Sequence, residues 1–207
     1  MSDGASSDRA LAEEEEARAF LYALLGRLLY APPDAALLQQ IAAAGGAADR
    51  APLTQAWGDL RETSRSMDAE TVRAEYDGLF IGAGKSPVTL YTASYAAPNS
   101  ADRHLLALRR RLAGWRLERV GSAAETEDHI AGLCDAMRWL ITERVGAEAE
   151  RGLFDDFVMP AVGPLCDAIL AAADARFYRT VAQLLRAFCE VESRGFELST
   201  AADREDA

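Results

Sequence analysis

Few residues in this chain could make or break bonds. Its 207 residues include two histidines, His104 and His129, three cysteines and one lysine, Lys85. No His-Glu-x-x-His or Glu-x-x-His spacing puts two ligands one turn apart on a helix, so zinc-hydrolase and di-iron chemistry have no scaffold. Cys134, Cys166 and Cys189 sit at apolar helical positions with no Cys-x-x-Cys pair. That pattern implies buried thiols in a reducing compartment, not a disulfide framework or a metal site. Gly-Ala-Gly-Lys-Ser at 82–86 resembles a phosphate-binding loop only superficially. Leu79 stands where the first glycine belongs, and a helical pattern precedes the segment where a strand is required. One pair stands out, Asp128 beside His129. Near a helix N-terminus the carboxylate meets the positive end of the dipole, and the imidazole can project into a neighbouring groove. The other reading is a capping carboxylate next to a half-buried histidine. Spacing alone leaves both open.

Helices must position these residues. Alanine, leucine, glutamate and arginine dominate, 50% of residues are apolar and 8% aromatic, and no Val/Ile-rich run marks a buried strand. The expectation is an all-α bundle of about eight to ten helices. After a flexible N-terminus at 1–12, Ala17, Phe20, Leu21, Leu24, Leu25, Leu28 and Leu29 form one stripe, stopped by Pro32-Pro33. Asp34 can cap a short helix bearing Leu37, Leu38 and Ile41. Further helices begin near Pro52, with Trp57 and Leu60, and at Asp68, with Val72, Tyr76, Leu79 and Phe80. Residues 81–99 then lose the helical period, and an irregular loop of that length in a helical protein tends to be functional.

Helices resume near Ser100 with Leu105, Leu106, Leu108 and Leu112. Residues 114–124 read as a link between an N-terminal half, 13–113, and a C-terminal half, 125–196. Thr126 is placed to cap the next helix, whose stripe is Ile130, Leu133, Cys134, Met137, Leu140 and Ile141. Two more helices follow, near 148–158 and from Pro160. The last spans 174–194 with Phe177, Val181, Leu184, Leu185, Phe188 and Val191, Gly195 as its C-cap, and a polar tail at 197–207. Trp57, Trp115 and Trp139 read as core aromatics.

The charge narrows the partners. Thirty-three acids against 22 bases give −11, which argues against sequence-independent nucleic-acid binding and leaves room for a cationic peptide. No run of 18 apolar residues occurs and the polar start carries no signal-peptide pattern, so a cytoplasmic protein without a membrane span is expected.

Three segments in order resemble a known family. Glu75–Gly84 (EYDGLFIGAG) with LYTASY at 90–95, ETEDHI at 125–130, and LFDDFVMPAV at 153–162 with ARFYRTVAQLL at 175–185 are similar to the blocks of the TorD/DmsD family of helical chaperones. The resemblance spans roughly residues 13–196. Leu90, Ala93, Thr126, Phe157 and Ala161 depart from its usual residues. It implies a chaperone, not an enzyme, with no cofactor of its own. Its partners would be the twin-arginine leader and apo form of a molybdopterin oxidoreductase subunit, held for cofactor insertion before export or assembly.

The resemblance also implies roles for residues. Asp128, His129 and Glu127 would bind the leader, with Tyr91 and Tyr95 near the groove, while Glu75, Tyr76, Leu79 and Phe80 would brace the loop. A domain-swapped homodimer hinged at 114–124 is a further implication. Asp128→Ala is then expected to weaken client binding with little loss of fold. Two alternatives differ in class: a permanently associated assembly subunit, and a small nucleotide-binding hydrolase built on the 81–99 loop, Lys85 and His129.

Overall fold

The computed structural model describes residues 2–46, 50–82, 86–117 and 125–205. Among them ten α-helices and two five-residue π-helical segments make an all-α bundle. The helices are α1 (Ser2–Tyr30), α2 (Ala35–Ala43), α3 (Pro52–Ser66), α4 (Ala69–Tyr76), α5 (Ala93–Ala96) and α6 (Ala101–Gly114). The second half adds α7 (Ile130–Thr142), α8 (Ala147–Leu153), α9 (Met159–Ala171) and α10 (Phe177–Glu205). The π-helical turns, Asp77–Ile81 and Phe154–Val158, extend α4 and lead α8 into α9. No helix among the described residues is long and apolar enough to cross a membrane.

The apolar stripes explain the packing. α1 lies along α7, and α10 packs on α3 and α9. Leu25, Leu28 and Leu29 of α1, Met137 and Leu140 of α7, and Val181 and Leu184 of α10 are all buried in one cluster, so both halves of the chain share a core. At Gly26 the two central helices approach so closely that a Cβ would lie 3.2 Å from that of Cys134. The three cysteines are free and buried; burial pushes the Cys134 thiol up to about 12 and Cys166 to about 11.

Local signals set most boundaries. Asp34 accepts the Leu37 N–H at 2.8 Å and starts α2, and α1 stops two residues before Pro32-Pro33. Elsewhere the structure departs from expectation. α1 begins at Ser2, inside the expected flexible start, and α10 runs through Gly195 into the expected tail. Gly195 does not adopt the positive φ of a C-cap. Phe196 follows it, buried against Phe154 with ring centroids 5.3 Å apart, and that burial outweighs the roughly 1 kcal/mol glycine penalty. Phe20 is exposed, edge-on to Trp57, and Tyr22 takes its place in the core. Val191 is also exposed. The 81–99 segment is less irregular than its sequence suggests, since the π turn reaches Ile81 and α5 lies within it. Of the 114–124 link, residues 118–124 lie outside the described residues.

Two polar devices tie distant elements together. Arg18 donates to Glu192 at 2.7 and 2.9 Å and to Glu150 at 2.8 Å, while the Tyr22 hydroxyl donates to Glu192 at 2.9 Å. This network joins α1, α8 and α10 where little water reaches. Glu75 at the end of α4 accepts three N–H groups, from Arg176, Phe177 and Tyr178, at 2.8 to 3.1 Å. It caps the first turn of α10 from another helix, satisfying donors that no intrahelical carbonyl can reach. Glu75→Ala is expected to lower stability by about 1–2 kcal/mol, read as a fall in the thermal midpoint. An unchanged midpoint would contradict the capping role.

Candidate functional site

The segment after the first π turn crosses the start of α7. Leu90 accepts the Ile130 N–H at 2.8 Å, and Asp128 accepts the Thr92 N–H at 2.8 Å through their backbones. These bonds make an isolated antiparallel bridge between Tyr91 and His129. His129, not Thr126, is the N-cap of α7: its Nδ1 accepts the Ala131 N–H at 3.2 Å. Thr126 instead donates its hydroxyl to Asp128 at 2.5 Å. The second Asp128 oxygen accepts the Ala93 N–H at 3.3 Å, so this carboxylate, 4% exposed, ties α5 to the crossing.

His129 accepts through Nδ1, so the neutral ring carries its proton on Nε2. Tyr91 and Tyr30 meet the imidazole edge to face, at 5.4 and 6.3 Å. Burial pushes its pKa below the usual 6.5, against the opposing pull of Glu125 and Asp128. An unfolded chain would take up this proton near pH ~6.5, while the folded chain takes it up only at lower pH. The contribution of His129 to stability is therefore full above that value and is lost as the pH falls below it. His129→Gln should flatten this part of the pH dependence. Thermal midpoints measured from about pH 8 to about pH 5 would show it; parallel curves for the two proteins would contradict it.

Beside His129 opens a cleft of about 660 Å³ between the end of α1, α6 and α7. Its floor is apolar, made by Leu112 and Leu117 on one side and Ala131, Ala136 and Trp139 on the other. Three carboxylates stand on its rim, Glu125, Glu127 and Asp135. Glu127 pairs with Arg109 at 2.9 Å, and Arg138 lies 3.8 Å from Asp135. Glu125 accepts the Tyr91 hydroxyl. Burial and that carboxylate push the Tyr91 hydroxyl up to about 12, so it remains a donor at neutral pH.

A larger cleft of about 1110 Å³ lies between the outer parts of α1 and α10. Arg18, Glu150 and Glu192 on its lining bond to one another.

The residues singled out from sequence fall into separate places. His129 and Glu127 line the smaller cleft, and Tyr91 reaches it through His129 and Glu125. Asp128 is not among the lining residues. Tyr95 is half-buried against the core and donates to the Thr89 carbonyl at 2.9 Å. The Tyr76 hydroxyl donates to the Tyr30 carbonyl at 2.7 Å and so holds the end of α1, which supplies Tyr30 to the cleft. Leu79 accepts the Val88 N–H at 3.1 Å, and the Phe80 ring sits 5.1 Å from Tyr76 and 4.9 Å from Tyr178. Glu75 acts at the start of α10, as described.

Tyr30, Arg109, Asp135 and Arg138 escaped the sequence reading, and Trp139, expected in the core, packs against it and lines the cleft as well. A signal for part of this set exists. Gly132, Asp135, Ala136 and Trp139 recur at helical spacing, a half-polar stripe beside the core stripe of α7. Residues 83–85 of the glycine-lysine segment lie outside the described residues. Among the described residues no three His, Cys, Asp or Glu side chains group as a metal site.

The described residues thus form an all-α bundle in which one segment crosses the start of a central helix beside an apolar cleft rimmed with carboxylates. The chain belongs to the nitrate reductase delta subunit family, which it matches over residues 47–190. That family comprises TorD-like chaperones that assemble molybdenum-containing redox enzymes, consistent with the resemblance carried by the three motifs. The matched span includes every cleft residue except Tyr30. A comparison with curated proteins finds no match.

Proposed function

We propose that this chain holds the apo catalytic subunit of a molybdopterin oxidoreductase by its twin-arginine leader, in the cytoplasm, until the cofactor is inserted. The client is then released for export or assembly. The observation that carries this reading is the cleft beside His129, in which Glu125, Glu127 and Asp135 rim an apolar floor. A twin-arginine leader presents two guanidinium groups followed by an apolar run. Carboxylates match the first through bidentate hydrogen bonds, and the Leu112, Ala136 and Trp139 floor matches the second. Tyr30 and Trp139 add aromatic faces on which a guanidinium can stack. The net charge of −11 steers a cationic segment toward the protein from a distance.

Membership of a maturation family supports a non-catalytic role over the nucleotide-binding hydrolase. The same family is described as a reductase subunit, which favours a second reading, a component that stays with its enzyme. Co-purification separates them. The proposed chaperone is recovered with the apo-client and lost from the cofactor-loaded enzyme, whereas recovery in fixed stoichiometry after loading would establish the permanent subunit. We extend the proposal to a homodimer swapped about 114–124, since the two halves share one core that a partner's half could complete. Light scattering on the purified chain tests it, a monomer mass ruling it out.

A further inference from the structure

The two arginines of the cleft sit where the proposed client's arginines would bind. Arg109 on α6 is half exposed, yet its Nε is 2.9 Å from Glu127, a carboxylate with only 20% of its side chain accessible. Arg138 on α7 approaches Asp135 at 3.8 Å. Glu127 and Asp135 therefore each already face a guanidinium from the protein itself. We infer that Arg109, seconded by Arg138, is a built-in competitor that occupies the cleft carboxylates and is displaced by a peptide carrying paired arginines.

This rests on the leader-binding reading and says how that site is regulated. The competitor acts as a filter. A single cation that takes Glu127 must break the Arg109–Glu127 pair and gains one equivalent pair in return, with no net advantage. A peptide with two adjacent guanidinium groups and an apolar run displaces both arginines and adds floor contacts, so only it binds well. The displaced arginines are exposed and return to water without leaving a buried charge, which keeps the exchange reversible.

The probe is a synthetic leader with its arginine pair, and a copy with both arginines replaced by alanine, titrated calorimetrically into four proteins. Arg109→Gln should tighten the paired-arginine peptide by roughly threefold to fivefold, the scale of one exposed ion pair. Arg110→Gln, which removes the same charge from the same helix outside the cleft, should leave its affinity nearly unchanged. Arg109→Gln combined with Glu127→Gln should lose the gain. Unchanged or weaker binding by Arg109→Gln, or an equal gain in Arg110→Gln, overturns the competitor while leaving the leader reading intact. If the wild-type protein binds neither peptide, both readings fall.

Discussion

Arg18→Met is expected to destabilise the protein by about 3–5 kcal/mol, the scale for removing one partner of a buried ion pair. Arg18 is the cation that meets both Glu150 and Glu192, whose side chains are 10% and 3% accessible. Burial alone would weaken its charge. Its bonds to Glu192, and after them the Glu150 charge, more than offset that and hold its pKa above the usual arginine value. Without it two carboxylates share one poorly solvated site with no cation to offset their repulsion. Denaturant unfolding at neutral pH measures the deficit. Arg9→Met is the control, because it breaks an exposed pair with Glu13 and should barely shift the midpoint. Equal shifts in the two variants would contradict the network's role.

Asp128→Ala is expected to cost about 1–3 kcal/mol, because it strips a buried acceptor from the Ala93 N–H and the Thr126 hydroxyl. The crossing that seats Tyr91 and His129 would loosen with it, so weaker client binding should follow as a secondary effect. Asp128→Asn keeps an oxygen acceptor and should recover part of the stability and of the binding. The sequence-based expectation is the reverse, loss of binding with the fold intact. Thermal midpoints and leader affinities of both variants separate the two. A normal midpoint in Asp128→Ala with lost affinity would mean that Asp128 meets the client directly.

The helices were legible because their evidence is local. Apolar positions three and four apart, Pro32-Pro33 after α1 and Asp34 before α2 each act within a turn or two of the element they define. What escaped acts across the chain. Glu75 caps α10 from about a hundred residues away, and the Arg18 network spans α1, α8 and α10, so no window of sequence contains either one. Thr126 has the residue type of an N-cap, but the bridge between Tyr91 and His129 sets where α7 begins and leaves Thr126 to Asp128. Gly195 has the type of a C-cap, but Phe196 packs in the core and carries the helix past it. The cleft was legible on one wall, the ETEDHI segment. Its other wall, Leu112 and Arg109 of α6, reaches it by a tertiary approach that periodicity does not encode.

Leader binding is tested by calorimetric titration of a synthetic twin-arginine leader, taken from a molybdoenzyme of the same host, into the chain. Saturable binding at one site is expected. Affinity should fall steadily as salt rises from about 0.05 to about 0.5 M, since screening weakens the exposed carboxylate–guanidinium pairs. It should also fall at least roughly tenfold, the scale of two charge-assisted contacts, in the copy with the arginine pair replaced by alanine. No heat of binding with any such leader, or binding indifferent to both salt and the arginine pair, would contradict it.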